Sequence, residues 1–317
     1  MSDDGIASAG PLLRESAFFS REVIEDIQVK AQLGRYRIRG YGTLRRLPCF
    51  DDLTFVTAGL SRVPLEGYRE RCSTETVLGT RFASNPLRLK TPITITGMSY
   101  GALSRHAKIA LGQAATRVGT STCTGDGGML PAEREASHRL VYQVLPSRYG
   151  FDPEHLRAAD ALEIVVGQGA KPGTGGILLG QKVSAEIAGM RDLPPGVDQR
   201  SAVRHPDWMG TDDLIIKIEE LREATEGRVP IYIKLGAARV TDDVKLAAKA
   251  GADVIVVDGM EAGTGASPEL QLDHTGIPTM AALVEAVAAL EEIGLKDEVQ
   301  LIVSGGIRGG ADVAKAL

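Results

Sequence analysis

The sequence predicts an α/β protein built as a (β/α)8 TIM barrel, and two features of the chain carry that prediction. From Pro92 onward, short β-rich runs alternate with Ala-rich segments of helical period, a pattern typical of parallel strands joined by helices. Polar or glycine residues follow nearly every run, and a barrel gathers such residues on one face. A doubly wound open sheet is the competing topology, but it concentrates its ligand at a single switch point.

The first 90 residues lack this alternation and are rich in arginine. We therefore expect an N-terminal arm or small subdomain over residues 1–90 and the barrel over residues 91–317. Within the arm a helix is expected over about 20–33, because Ser20 can cap its first turn and Glu22 lies near the positive end of its dipole.

Seven strands are expected, each ending in polar or glycine residues. They lie within the runs 93–104, 121–128, 163–176, 199–203, 231–236, 254–259 and 301–306, of which 199–203 is the weakest. Helices are expected through about 118 after the first run and over about 211–225. Residues 128–163 form, in this interpretation, a long polar connection.

The chain ends inside the helix that follows the seventh expected strand, at Ala316–Leu317, and contains no eighth strand. We expect a truncated polypeptide. Two alternatives are an eighth strand supplied by another chain and an open barrel with an unpaired edge.

Composition argues against several classes of partner. A formal net charge of -5 and a pI near 5.7 provide no electrostatic footprint for nucleic acid or an anionic membrane. No run of about eighteen apolar residues is present, and the start Met1–Asp4 lacks a signal peptide's basic and apolar regions. We therefore expect a cytoplasmic protein.

Cysteine and histidine usage predicts no metal site. Cys49, Cys72 and Cys123 lie too far apart for a zinc motif or a disulfide framework, and the five histidines show no ligand spacing. We expect three free thiols.

The run 163–176 opens from an apolar strand into a glycine-rich turn, which we interpret as the floor of a ligand site. Its glycines allow the backbone to approach a ligand closely and to direct N–H groups at it, while Gln168 and Lys171 project from the turn. An ordinary strand-to-helix connection is the alternative. Asp126, after the second run, is expected to face Lys171 across the barrel mouth, where a lysine suits a carboxylate-bearing substrate; a solvated ion pair is the alternative.

Two further features point to a charged cofactor. Lys234 lies within an apolar strand, where an ammonium requires a negative partner or a depressed pKa, and in the lumen it could offset negative charge on a reduced ring. If it faces outward, it simply reaches the surface. The sequence 304–310, Ser-Gly-Gly-Ile-Arg-Gly-Gly, precedes a helix and could bind a phosphate through its backbone N–H groups.

No nucleophile elbow, Walker A sequence or His-Glu-x-x-His motif is present. The chemistry is therefore expected to be a cofactor's.

Six motifs together resemble the FMN-binding synthase domain of the glutamate synthase family. They occur in family order over about 220 residues, at 98–104, 124–128, 167–176, 234–235, 263–268 and 304–306. Of these, Gln168-Gly-Ala-Lys-Pro-Gly is the most specific. The short arm and the sequence 142–150 look closest to stand-alone FMN subunits, such as the large subunit of N-methylglutamate synthase (methylamine–glutamate N-methyltransferase).

The resemblance implies a (β/α)8 barrel that binds FMN and reduces an imine, formed from a 2-oxo acid and ammonia, to glutamate. By matching position it implies FMN contacts at Met98, Ser99, Gly101, Gln168, Lys234, Gly305 and Gly306. We expect Ser304, in the same loop, to be a cofactor-binding residue as well. The resemblance also implies that Lys171 helps to hold the substrate carboxylate, and we expect Lys171, Lys234 and Asp126 to be the catalytic residues. A family contact that is usually Gln is Ile177 here, which puts 2-oxoglutarate in question as the substrate.

Two family parts do not appear in this sequence. The chain begins Met1–Ser2 and has no N-terminal cysteine nucleophile, and its three cysteines do not reproduce the family's iron–sulfur motif. We therefore expect an amidotransferase-like partner and an electron-donor protein or NAD(P)H-dependent subunit.

Three alternatives stay open. N-methylglutamate formation is the nearest. An FMN hydroxy-acid oxidase is disfavoured, because Ser304 stands where those barrels place a histidine base. A non-catalytic scaffold subunit belongs to another class.

Overall fold

The structure of the protein, a computed structural model, describes residues 16–317. The start Met1–Asp4, used above to argue against a signal peptide and an N-terminal nucleophile, lies outside the described residues.

Within residues 16–317 the elements alternate along the chain. The strands are β1 (Ile38–Arg39), β2 (Thr76–Leu78), β3 (Leu87–Leu89), β4 (Thr122–Cys123), β5 (Leu140–Val144), β6 (Ala161–Val165), β7 (Ile177–Leu178), β8 (Gln199–Arg200), β9 (Ile231–Gly236), β10 (Val254–Asp258), β11 (Ser267–Pro268) and β12 (Gln300–Ser304). The helices are α1 (Arg21–Leu33), α2 (Arg105–Val118), α3 (Pro131–Ala136), α4 (Pro153–Ala158), α5 (Ala185–Arg191), α6 (Thr211–Ala224), α7 (Val240–Lys249), α8 (Glu269–His274), α9 (Thr279–Glu292) and α10 (Gly310–Ala316), with short 3-10 turns at Phe50–Asp52 and Gly180–Lys182.

A six-stranded parallel sheet forms the centre of the fold, in the order β4-β5-β6-β9-β10-β12. Neighbours in the sheet follow one another along the chain and are joined by helical crossovers, as in a (β/α)8 barrel. In the register of the sheet, Gln143 on β5 lies beside Glu163 on β6, and Lys234 on β9 lies beside Val256 on β10.

The first expected strand does not form a ladder. Its residues lie beside β4, where Ile95 N donates to Ser121 O at 2.9 Å and the Thr120 hydroxyl donates to Ile93 O. Pro92 brings no N–H donor, and the Met98 carbonyl accepts from Lys108 Nζ at 2.7 Å instead of from a neighbouring strand. We refer to residues 93–97 as the entry segment.

Two further expectations about strands were wrong. The connection 128–163 contains β5 between the six-residue helices α3 and α4, which are too short to show a helical period. The run 199–203 contains only the two-residue β8, which pairs antiparallel with β7 outside the main sheet. Gln199 is buried through its contact with Arg191 and Arg200 is exposed, so this run places no strand in the main sheet.

Alternate residues of the strands divide between the two faces of the sheet. One set, including Leu162, Ile164, Ile231 and Ile233, packs against the helices in the largest core cluster. The other set faces the lumen. Its lower members pack on the hairpin β2-β3 and comprise Cys123, Val141, Ala161, Tyr232, Val254 and Val256 against Leu78, Leu87 and Leu89.

The sheet is curled. The entry segment lies beside β4, yet Thr96 Oγ1 is 3.3 Å from Lys234 Nζ on β9, beyond β5 and β6. Strands are about 4.8 Å apart, so a flat sheet would separate the entry segment from β9 by roughly 19 Å. A lysine side chain cannot span that distance, so the sheet closes toward a barrel. The α/β class and the incomplete (β/α)8 barrel are confirmed.

The arm contacts the barrel at both ends. Its helix α1 begins after Ser20, whose hydroxyl accepts from Val23 N, as expected. β1 pairs antiparallel with β11, and Arg37 Nε donates to Glu269 at 2.9 Å. The division of the chain at about residue 90 stays a prediction.

In the part of the chain that the structure describes, no helix combines the length and apolar character needed to cross a bilayer. Nor do three His, Cys, Asp or Glu side chains of residues 16–317 group as metal ligands would.

Candidate functional site

A cavity of about 1450 Å³ occupies the lumen and opens at the carboxyl ends of the strands. It is lined by every sequence-predicted site residue except one: Met98, Ser99, Asp126, Gln168, Lys171, Lys234, Ser304, Gly305 and Gly306. The exception is Gly101, which has φ +114° and faces Leu178; a Cβ there would lie 2.8 Å from Leu178 Cδ2. What each residue binds stays a prediction.

Lys234 lies in the lumen, 5% exposed. Its Nζ is 3.9 Å from Asp258 Oδ2 and 3.3 Å from Thr96 Oγ1. Burial alone would lower the pKa of Lys234, but the Asp258 and Glu163 carboxylates raise it above its usual value. The lumen therefore holds a fixed positive charge beside the cavity.

A carboxyl–amide pair lies on the two preceding strands, one lumen-facing position below Lys234, since Glu163 pairs with Tyr232 and Lys234 pairs with Val165. Gln143 Nε2 donates to Glu163 Oε1 at 2.6 Å, and both residues line the cavity. Burial raises the pKa of Glu163, against the opposing effects of Lys234 and the Gln143 hydrogen bond. We did not single out either residue from the sequence, although Glu163 stands in an apolar strand as Lys234 does.

Asp258 ties the glycine-rich turn to the sheet. Its carboxylate accepts from Gly169 N at 2.8 Å and from the Ser304 hydroxyl. A Cβ on Gly169 would lie 1.8 Å from Gly259 O, so only glycine fits where the turn crosses the end of β10. The two segments expected to bind the cofactor, around Gln168 and Ser304, therefore share one anchor.

Asp126 and Lys171 meet at the mouth, as expected, but do not form a direct ion pair. Asp126 accepts from Ser147 Oγ at 3.0 Å and from Ser201 Oγ at 2.8 Å. Within residues 16–317, Lys171 Nζ has no carboxylate within 4.0 Å. Burial lowers its pKa and the charge of Asp126 opposes that shift. A Cβ on Gly176 would lie 3.2 Å from Asp126 Oδ2 and 3.7 Å from Lys171 Nζ, so the missing side chain leaves room between the charges.

A second buried cation stands behind Asp126. The Arg191 guanidinium donates to Asp126 O at 3.0 Å and to Gln199 Oε1 at 3.1 Å, and it is 3% exposed. Burial lowers its pKa, opposed by the charge of Asp126. Arg191 comes from α5, outside any motif, and the sequence carries no signal that would assign it to the site.

The sequence after β12 forms a loop open to the cavity. Gly305 and Gly306 have φ +104° and +74°, and Thr279 Oγ1 lies 2.9 Å from Gly305 O. The N–H groups of Gly306 and Ile307 have no acceptor among the described residues, and both residues line the cavity. Two unpaired N–H donors in one loop on the cavity wall are suited to a phosphate.

Residues 51–317 match the family described as "Conserved region in glutamate synthase". The chain belongs to the glutamate synthase family. The resemblance drawn from the six motifs is thereby confirmed.

Three curated relatives show how far the similarity extends. The chain is 60% identical over 304 residues to a glutamate synthase large subunit-like protein of Rhizobium meliloti, covering 96% of this chain and 69% of that protein. It is 36% identical to an archaeal-type glutamate synthase (NADPH) of Dehalococcoides mccartyi, covering 96% and 64%. It is 35% identical to an archaeal glutamate synthase (NADPH) of Methanocaldococcus jannaschii, covering 92% and 62%. The chain therefore spans about two thirds of the length of these relatives.

Solved structures similar in fold include mandelate oxidase, at 22% identity and TM-score 0.48, over 77% of this chain and 65% of that one. A flavocytochrome b2 variant with benzoylformate is similar at 19% identity and TM-score 0.48, over 80% and 59%.

Proposed function

We propose that this chain is the FMN-binding synthase part of a glutamate-synthase-type oxidoreductase acting on CH–NH2 groups. In the proposed reaction, a 2-oxo acid and ammonia condense to an imine with loss of water. Two electrons and two protons then reduce the imine to the amino acid. The observation that carries the proposal is one cavity bounded by a buried lysine, two unpaired N–H groups and a charged mouth.

The residues present fit FMN. The cavity has the volume for a nucleotide-sized ligand, with donors for an anion at the Gly306 loop and a fixed cation in the lumen. When bound, FMN supplies hydride transfer, which no side chain of this protein can perform.

We assign the phosphate end to the loop after β12. Gly306 and Ile307 carry the unpaired backbone N–H groups on the cavity wall, and positive φ angles at Gly305 and Gly306 shape the turn. The Ser304 hydroxyl donates to Asp258, so Ser304 orients the loop, while the backbone of Gly306 and Ile307 binds the ligand.

We assign the ring end to the lumen. Lys234 holds positive charge where negative charge accumulates on reduction, and burial strengthens that interaction. Met98, Ser99 and Gln168 line the same space, and Gly101 shapes the loop that carries Met98 and Ser99.

The substrate lies at the mouth in this proposal. Lys171 has no carboxylate partner within 4.0 Å in the described structure and binds the substrate's carboxylate. Asp126, oriented by Ser147 and Ser201, accepts a hydrogen bond from the imine nitrogen and stabilises its protonated form. Ile177 places an apolar side chain on the cavity wall, where the resemblance leads us to expect a Gln. The identity of the group at the far end of the 2-oxo acid is therefore a question for the assay.

Nitrogen and electrons reach this site from elsewhere in the proposal. We propose an amidotransferase-like partner as the ammonia source and an electron-donor protein or NAD(P)H-dependent subunit as the reductant. An iron–sulfur cluster, where the complete enzyme uses one, would need ligands beyond residues 16–317, since those residues form no such group. A cytoplasmic location stays a prediction.

The test uses protein expressed from the complete gene. We expect a flavin absorption spectrum, FMN on chromatography of the released cofactor, and glutamate formed from 2-oxoglutarate, ammonia and a chemical reductant. Assays with methylamine in place of ammonia would detect N-methylglutamate and identify that alternative. A folded protein without affinity for FMN would contradict the proposal and favour the scaffold alternative.

A further inference from the structure

A buried lysine outside the lumen joins the two loops that form one wall of the cavity. Lys108, on α2, is 1% exposed. Its Nζ lies 2.7 Å from Met98 O, 2.9 Å from Thr124 O and 3.2 Å from Cys123 O. The Glu133 carboxylate of α3 lies 2.6 Å from the same nitrogen.

The three carbonyls belong to two chain segments whose backbones are in contact. A Cβ on Gly125 would lie 2.3 Å from Ser99 N and 2.6 Å from Met98 C, so the loops 98–101 and 124–128 are in contact. Both loops line the cavity, one through Met98 and Ser99, the other through Asp126. Their facing carbonyls repel one another unless a cation lies between them.

The ammonium of Lys108 has three donors and no acceptor, which matches three converging carbonyls. Each carbonyl lies where a segment beside or within the sheet gives way to a loop: Met98 follows the entry segment, Cys123 is the last residue of β4 and Thr124 follows it. The Glu133 carboxyl lies against the ammonium and, when ionised, compensates its charge away from water.

We propose that Lys108 is a positioning residue of the cofactor site, which fixes the loop of Met98 and Ser99 against the loop of Asp126. The inference rests on the proposed function, because it assigns those loops to FMN and substrate. Lys108 itself is outside the cavity lining and acts through the backbone.

The test is Lys108→Met in the protein expressed from the complete gene, with Arg222→Met as matched control. Arg222 also binds a buried carboxylate, Asp253 at 2.9 Å, and a carbonyl, Gly251 O at 2.7 Å, but its partners lie away from both loops. Both variants lose a buried ion pair and should show lowered melting temperatures. Only Lys108→Met should raise the dissociation constant for FMN, by about tenfold or more, and alter the visible circular dichroism of bound flavin.

Each outcome has a defined meaning. Wild-type protein that does not bind FMN contradicts the proposed function. Wild-type binding with equal FMN affinity in Lys108→Met and Arg222→Met overturns the positioning role alone. If Lys108→Met does not fold, Lys108→Gln, which keeps amide donors, is measured instead. A dissociation constant raised at least about threefold over Arg222→Met supports the role, and an unchanged constant overturns it.

Discussion

Lys234 is the residue on which the proposed chemistry depends most. Lys234→Met should weaken FMN binding by about tenfold, lower the imine reduction rate by about a hundredfold or more, and shift the flavin midpoint potential to a more negative value. The reason is the loss of a buried cation that stabilises the reduced form. Titration with FMN, steady-state rates and a redox titration would measure the three effects.

Lys245→Met is the control, because Lys245 pairs with Glu292 on the surface and lies outside the cavity. An unchanged potential in Lys234→Met would place the lysine away from the flavin ring.

Substitution of Lys171 should affect substrate binding but not cofactor binding. Lys171→Met should raise the KM for the 2-oxo acid by about ten- to a hundredfold and leave the dissociation constant for FMN within about twofold, since the lysine lies at the mouth. Inhibition by a series of mono- and dicarboxylates would identify which carboxylate Lys171 binds. Loss of FMN binding in this variant would contradict the division between ring end and mouth.

Glu133 gives a pH prediction with a definite sign. Burial raises its pKa to about 7 from the usual 4.5, and Lys108 only partly opposes the shift. The folded state therefore binds the proton more tightly than the unfolded chain. Its stabilising contribution is complete below pH 4.5 and is lost as the pH rises through about 7. The loss is on the order of 3 kcal/mol in the free energy of unfolding.

Urea unfolding of the wild-type protein and Glu133→Gln between pH 4.5 and about pH 8 would measure this contribution. Other titrating groups are common to both proteins, so the difference between the two curves isolates Glu133. Parallel curves would show that the carboxyl does not change its protonation over this range.

At the scale of elements, the later strands were predictable because β9, β10 and β12 are apolar runs with clear ends. β5 was not, because helices of six residues on either side show no period and the whole stretch looked polar. The entry segment has strand-like residues but no strand, since its pairing is settled by Lys108 and Thr120, which are distant in sequence.

The residues of the candidate site were likewise predictable where their signal is local in the sequence. Glycine-rich ends of strands predicted Gln168, Lys171 and the Ser304 loop, because their signal is local. Gln143 and Arg191 were missed, since the first lies in the unrecognised strand and the second reaches the site from a helix. Residues placed by tertiary contacts leave no mark in local sequence.

The glycine-rich turn after β6 allows a direct test at this scale. Gly169→Ala should lower the free energy of unfolding by about 3 kcal/mol or more, because its Cβ would meet the backbone carbonyl of Gly259 at 1.8 Å. FMN affinity should fall with it, since the turn carries Gln168. Gly189→Ala in helix α5 has open space and should stabilise by about 0.5–1 kcal/mol. Equal effects of the two substitutions would contradict the close crossing of turn and strand.

At the scale of the whole molecule, the sheet is curled and ends at β12, which among residues 16–317 pairs with a strand on one side only, β10. Its residues are all half-buried, whereas those of β9 and β10 are nearly all buried. The position beyond β12, between it and the entry segment, is where the eighth strand of a complete barrel would lie.

Hydrogen exchange can test that geometry amide by amide. In a parallel ladder the N–H groups of one strand alternate between its two neighbours. Gln300 N donates to Asp253 O, which assigns Gln300, Ile302 and Ser304 to β10 and directs the amides of Leu301 and Val303 outward. In the 317-residue chain, Leu301 and Val303 should therefore exchange at least about a hundredfold faster than Ile302. If the protein expressed from the complete gene supplies an eighth strand, the same two amides should become protected, while Ile302 changes little. Equal protection of Leu301 and Ile302 in the 317-residue chain would show that the outer edge of β12 is already covered, and the incomplete barrel would have to be revised.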